Sequence, residues 1–308
     1  MNTTTLPTQA VHIAPTRPPF AARLSHWMPK LVLAPSFVIA FLFIYGLMAW
    51  NGYLSLSASR LLPNYEFVGV EQYVNLFNSE RWWVALTNLG IFGGLFLFFG
   101  MAIGLLLAIL LDQKIRSEGV LRTIYLYPMA ISFIVTGTAW KWILNPGLGI
   151  EHLVRSWGFP NFQFDWLVDD QHAIYCIVIA GIWQASGFVM ALFLAGLRGI
   201  DDSIIKAAQI DGASLPRIYW RIVVPSLRPV FFSTLMVVSH LAIKSFDLVI
   251  ALTAGGPGYS TDLPATFMYA MSFSRGQVAM GAASAEIMLA TVAAIVVPYL
   301  YSELRTKK

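Results

Sequence analysis

The sequence predicts an all-α integral membrane protein with six transmembrane helices and one patterned helix–turn–helix loop between the fourth and fifth. Three observations lead there. Charged residues make up only 12% of the 308 while hydrophobic residues reach 57%, against about 25% charged in a typical soluble domain. Six apolar runs are each long enough for the ~20 residues that cross a hydrocarbon core. Lysine and arginine alternate between rich and poor connecting segments. The same composition excludes an ordinary soluble enzyme, a disordered chain and a nucleic-acid-binding domain, in spite of the net charge of +4.

Residues 1–30 carry Pro7, Pro15, Pro18, Pro19 and Pro29 with no apolar centre. They read as a flexible tail and not as a secretory signal peptide. The runs 31–59, 86–111 and 173–197 are charge-free, and 123–144 contains only Lys141 near its end. The run 230–252 is interrupted by Lys244 and Asp247, and 278–301 by Glu286. These runs are too long and too continuously apolar for barrel strands, so each is a helix that satisfies its own backbone. The membrane domain is thus expected over 31–303, followed by a short basic terminus at 304–308.

Orientation follows from the basic residues. The tail, the second loop, the fourth loop and the C-terminus together hold 14 lysines and arginines. The alternate loops hold four: Arg60, Arg81, Arg155 and Arg275. Both termini and the fourth loop, 198–229, are therefore expected in the cytoplasm.

That fourth loop has its own local code. Asp201, Asp202 and Ser203 are N-cap types for a short helix through Ala207 and Ala208. Asp211-Gly212 is a turn signal. Ser214 and Pro216 suit the cap and first turn of a second helix through Trp220, and Pro225 and Pro229 lead into the fifth span. The outcome is a compact surface joined rigidly to a transmembrane helix.

The pattern Lys206-Ala207-Ala208-x-x-Asp211-Gly212-Ala213, with Tyr219, Ile222 and Pro225 at fixed spacing, resembles the EAA loop of ABC-importer permeases. In that family the loop is a coupling helix seated in a groove of the ATP-binding subunit. Lys206 stands where the family has Glu, Tyr219 where it has Phe, and Val224 where it has Leu. The resemblance continues over nearly the whole chain after the tail. Phe67-Val-Gly-Val-Glu-Gln-Tyr73 with Asn75-Leu-Phe77, Arg122-Thr-Ile-Tyr-Leu-Tyr-Pro128, Trp140-Lys-Trp142 with Asn145-Pro146, Phe246-Asp247 and Thr253-Ala-Gly-Gly-Pro-Gly258 look like the sugar-transporting, maltose-type (carbohydrate uptake) branch. The resemblance implies half of an import path for a sugar, a mono- or small oligosaccharide such as glucose, in a bacterial inner membrane. It also implies a second similar permease, two ABC ATPase subunits holding ATP and Mg, and an extracytoplasmic sugar-binding protein.

Candidate pathway residues are fewer. Lys244 and Asp247 stand three apart on one face of the expected fifth helix, with His240 one turn earlier. Charges inside a membrane usually face a bundle interior or a wet cavity, so they either line a substrate route or form a structural ion pair. Glu286 has the same two readings. Trp183, Gln184 and Ser186 put polar groups and an aromatic face into the fourth span, which suits a sugar ring, although a packing tryptophan and a glutamine tie between helices fit equally. Gly90/Gly94 and Gly100/Gly104 permit close helix approach, and Gly255–Gly258 reads as an external turn. Trp82, Trp83, Trp140 and Trp142 fit an interfacial belt. Cys176 lies in an apolar run as a small hydrophobe.

The sequence has no GxxxxGK[ST] phosphate loop, no metal-ligand spacing and no nucleophile–base set. No cofactor, metal or catalytic site is therefore expected on this chain, and any ATPase is a separate polypeptide. The alternative is an ion-coupled secondary transporter of a small polar solute, with Lys244, Asp247 and Glu286 as a relay.

Overall fold

A computed structural model describes residues 20–113 and 115–306. Among these the chain is helical apart from loops and one isolated antiparallel bridge, Ser57 to Phe67. It divides into two compact units, residues 1–51 and 52–308.

The N-terminal unit is formed by α1 (Phe20–Phe41), a π-turn at Leu42–Gly46 and the beginning of α2 (Leu47–Ser55). Together they supply the first span, Val32–Ser55. The helix starts well before the expected end of the tail. Residues 20–28 are free of proline and glycine and follow the Pro18-Pro19 pair, so they extend the helix outward, and Pro29 lies within it without ending it. The expected tail residues 1–19 lie outside the described residues, as do Lys307 and Lys308. Phe37, Phe41 and Phe43 are all more than half exposed, the ordinary state of a helix facing lipid.

In the second unit, α3 (Glu71–Phe77) leads into α4 (Glu80–Asp112), the second span. At a rise of 1.5 Å per residue α4 runs about 50 Å, so it projects beyond the ~30 Å hydrocarbon core. It packs along α8 (Ala173–Leu197), the fourth span. Phe92 and Phe96 stack at 5.2 Å and press on Gly181 of α8. Around them Cys176, Ile177, Met190, Phe193 and Leu194 form the main core. Of the paired glycines in the second span, only Gly104 sits at a close approach, against Val189; Gly90, Gly94 and Gly100 face open space.

Two expected spans are broken. The third divides into α5 (Glu118–Ala130) and α6 (Phe133–Ile143), bent by 99°. Pro128 in the last turn of α5 lacks an N–H and disfavours continued helix, and the Ser132 hydroxyl accepts the Val135 N–H at 3.3 Å to start α6. A short helix, α7 (Ile150–Ser156), occupies the following loop. The fifth span also breaks. After α9 (Asp202–Ile210), α10 (Leu215–Ile218), a π-turn at Tyr219–Val223 and α11 (Val224–Ser226), the chain bends by 65° into α12 (Arg228–Ile243). The helix stops at Ile243 and restarts as α13 (Asp247–Leu252). Ser245 and Asp247 are residue types that compete for backbone hydrogen bonds and prefer helix ends. Lys244 and Asp247 therefore do not share one helical face, contrary to the expectation from their spacing.

The chain ends with α14 (Pro264–Tyr269), a π-turn at Ala270–Ser274 and α15 (Val278–Thr306), which contains the last span, Val278–Tyr301. Among the described residues four helices are long and apolar enough to span alone, and each bent pair counted as one brings the total to six. Trp82 is no belt residue. It is fully buried in a second core cluster, 5.1 Å from Phe267.

Helix α8 approaches α5 so closely at Gly187 that a Cβ there falls 1.9 Å from the Tyr125 carbonyl oxygen. Gly187→Ala is expected to lower stability by about 1–3 kcal/mol through overpacking. Thermal unfolding in mild detergent checks this, with Gly94→Ala, which meets nothing, as the neutral comparison.

Candidate functional site

The 198–229 segment folds as two short helices around a turn. The Asp201 carboxylate accepts the Ser203 N–H at 2.8 Å and caps α9. That backbone bond holds the Asp201 carboxyl below the ordinary carboxylate range. At the other end Gly212 adopts φ of 78°, the left-handed conformation that closes a helix at low cost only for glycine. The Gly212 and Ala213 N–H groups donate to the Gln209 and Ala208 carbonyls, both at 3.0 Å. Ser214 then precedes α10, with Pro216 in its first turn.

The two faces of this element differ. Ile218, Val223 and Leu227 are buried in the main core, so the element is rooted in the bundle. Tyr219, half-buried, donates its hydroxyl to Asp112 at 2.6 Å and accepts from Gln113 at 2.9 Å, tying the loop to the end of α4. Arg198 pairs with Glu118 at the start of α5. Outward, Lys206, Ala207, Asp211, Gly212 and Pro225 are exposed, whereas Ala208 and Ala213 are half-buried against the main core and Ile222 is half-buried. Ile210, at the end of α9, is 86% exposed. An apolar surface on a rigidly rooted loop is suited to a protein partner.

The candidate pathway residues do not form one site. Gln184 is buried and donates its side-chain amide to the Ile131 carbonyl at 2.8 Å, at the break of the third span. It is a tie between helices, the second of the readings open at its position. Trp183 meets Trp140 edge-on at 5.9 Å, and the Ser186 hydroxyl donates to the Trp183 carbonyl at 3.2 Å. His240, Lys244 and Asp247 are exposed. Lys244, Ser245, Phe246 and Asp247, with Phe133 of α6, line a small cavity of about 160 Å³ at the break of the fifth span. Lys244 and Asp247 make no ion pair with each other. Glu286 is half-buried in α15.

A third constellation was not singled out from the sequence. At the end of α4 opposite the loop, Arg81 pairs with the buried Asp262 at 2.5 Å and lies 4.1 Å from the Tyr259 ring centre. Asn88 donates to the carbonyls of Ser260 and Asp262, both at 2.9 Å, and the Thr266 hydroxyl donates to Asp262 at 3.0 Å. The segment after the Gly255–Gly258 turn is thus pinned to the second span. The available signal was Arg81 as a lone cation at the start of an apolar run, but its partner lies 181 residues away. Arg81, Arg275 and Tyr259 face Asp169 and Asp170 across an open cleft of about 950 Å³. The His172 ring and the Gln171 N–H hold the Asp169 carboxyl below its usual range. Among the described residues no three His, Cys, Asp or Glu side chains converge as a metal site.

Residues 100–305 match the family described as the binding-protein-dependent transport system inner membrane component. The chain is 41% identical over 273 residues to a probable ABC transporter permease protein of Pyrococcus horikoshii, covering 88% of this chain and 94% of the relative. It is 36% identical to the xylose/arabinose import permease protein of Haloferax volcanii, covering 86% and 84%. In fold it is similar to a chain of the bacterial alginate ABC transporter crystallised with a periplasmic protein bound to an alginate pentasaccharide. That likeness has a TM-score of 0.81 at 22% identity and covers 94% of this chain and 98% of the other.

Arg81→Met leaves Asp262 buried without its cation and is expected to cost about 3–5 kcal/mol. The double variant Arg81→Met/Asp262→Leu is expected to recover part of that loss. Thermal unfolding of the three proteins in detergent measures both effects.

Proposed function

The chain belongs to the family of binding-protein-dependent transport system inner membrane components, and we propose that it forms half of the translocation path of an ATP-binding-cassette sugar importer. As a family member it is a multi-pass inner-membrane permease and not an enzyme, so its solute crosses unmodified. The sugar class is supported by the name of the xylose/arabinose relative and by the maltose-type segments of the sequence. We assign a mono- or small oligosaccharide, such as glucose, delivered by an extracytoplasmic binding protein. A second, similar permease completes the path, and two ATPase subunits carry ATP and Mg²⁺, with no cofactor on this chain.

One observation carries the mechanism: the 198–229 loop is exposed on one face and rooted in the core on the other. Lys206, Ala207, Asp211 and Gly212 make the face that docks on the ATPase, with Ala208 and Ala213 behind it against the core. Tyr219, Ile222 and Pro225 form the elbow leading to the fifth span. With both termini and this loop in the cytoplasm, as the 14 to 4 charge asymmetry supports, ATP-driven closure of the ATPases moves the loop as a rigid body. Ile218, Val223 and Leu227 pass that displacement to the bundle. A shift from 1:99 to 99:1 between inward and outward states needs about 5.5 kcal/mol of differential binding. The cavity at Lys244 to Asp247 lies on α12 and α13, which this motion tilts, and is the best-placed solute contact on the chain. Trp183 and His240 flank the route, while Gln184 and Ser186 hold its walls. The ion-relay alternative is weakened because Lys244 and Asp247 are not paired on one helix.

Purification from the native membrane in mild detergent is expected to bring ATPase subunits with the chain; their absence overturns the proposal. Gly212→Pro cannot adopt φ of 78° and is expected to abolish both ATPase copurification and sugar uptake. Tyr219→Phe loses the bonds to Asp112 and Gln113. It is expected to keep the complex and its ATP hydrolysis while sugar uptake falls severalfold, read in proteoliposomes loaded with ATP.

A further inference from the structure

Between the elbow and the ends of α4 and α8 lies a groove of about 320 Å³. Leu105 of α4, Phe193 of α8, Phe231 of α12 and the elbow residues Trp220 and Pro225 supply an almost wholly apolar lining, and Arg228 is its one charged member. Arg228 is the first residue of α12, at the 65° bend, and is exposed. Among the described residues no carboxylate pairs within 4.0 Å of Arg228, nor of the neighbouring exposed Arg217 and Arg221.

The depth of the groove is set by the two spans that wall it. Leu105 lies seven residues before the end of α4, and Phe193 four before the end of α8. At 1.5 Å per residue these are about 10 Å and 6 Å below the helix ends. In the proposed topology that depth falls at the junction of headgroups and acyl chains. Tryptophan favours the same layer, and Trp220 stands at the mouth.

We propose that this groove binds an anionic phospholipid of the inner leaflet, with an acyl chain along Phe193 and Phe231 and the phosphate on Arg228. The apolar lining alone accepts any lipid chain. The unpaired guanidinium at its rim selects a negative headgroup, since cytoplasmic leaflets are anionic and attract nearby Lys and Arg. The lipid packs against Val224 and Leu227 of the elbow, next to the buried Ile218 and Val223. It thereby favours one angle between the docking element and the fifth span.

This assignment rests on the proposed topology, and its test does not depend on it. The full chain, with the subunits that copurify, is reconstituted in phosphatidylcholine vesicles containing a minor fraction of phosphatidylglycerol. Bromine on the acyl chains of one lipid or the other, present in both leaflets, quenches nearby tryptophan whichever way the protein inserts. The difference between wild type and Trp220→Phe isolates Trp220. Brominated phosphatidylglycerol is expected to quench Trp220 about fivefold more effectively per molecule than brominated phosphatidylcholine. Arg228→Gln is expected to bring the two to parity, while Arg116→Gln leaves the preference intact. Equal quenching in the wild type overturns the proposal. So does a preference that survives Arg228→Gln, which belongs to general surface potential, or an unquenched Trp220, which means a protein subunit covers the groove. An error in topology is detected separately, by labelling Lys206 from outside intact cells.

Discussion

A peptide group in hydrocarbon must find its hydrogen bond inside the protein, and the rest of this structure depends on that constraint. Long uninterrupted helices meet it without help, and α4 and α8 accordingly form the frame. Every break in a span creates groups that need another partner. At the third span the freed Ile131 carbonyl takes the buried Gln184 amide, and Ser132 starts the next helix. At the fifth span the chain turns through Lys244 and Ser245, whose N–H groups return to the His240 and Ala242 carbonyls. Gln184, Lys244 and Ser245 thus serve breaks in the backbone, and the small cavity opens at the second of these breaks.

The frame has two differently anchored ends. At the Asp112 end of α4, a tyrosine hydroxyl and three buried aliphatic side chains hold the helix–turn–helix element, leaving its other face free. At the Glu80 end, a buried Arg81–Asp262 pair, two asparagine amide bonds and a threonine hydroxyl fix the segment after Gly258. A displacement applied to the free face is therefore not absorbed locally. In the proposed mechanism it passes into α12 through the bend and along α4 through Tyr219, toward the end held by Arg81 and Asp262.

The legible part of this architecture was what local chemistry encodes. Apolar runs gave the spans, and Asp201, Gly212, Ser214 and Pro216 gave the loop, because caps and turns are decided within a few residues. The helix breaks were less visible. Pro128 lies at one, yet the run 123–144 reads as a single span, and nothing local distinguishes Lys244 and Asp247 on a continuous helix from the same residues across a gap. The Arg81–Asp262 node and the contact of Gln113 with Tyr219 were beyond reach, since each joins residues more than a hundred positions apart. Trp82 was misplaced for a related reason: its position near a helix end suggested an interface, and only the packing of Phe267 shows that it is core.

The Lys206 position illustrates how sequence and geometry divide the question of coupling. The resemblance sets a glutamate there, so a lysine reverses the charge at the expected docking face. In the structure Lys206 is exposed on α9, and the elements that fix the loop involve other residues: Asp201, Gly212, Tyr219 and the buried Ile218. Reversal of that charge leaves the element's shape intact and alters only what it presents. An exposed ion pair contributes about 0–1 kcal/mol, small beside the burial of Ile210 and its apolar neighbours in a partner's groove. In the proposed docking, shape and apolar area therefore outweigh the charge of Lys206.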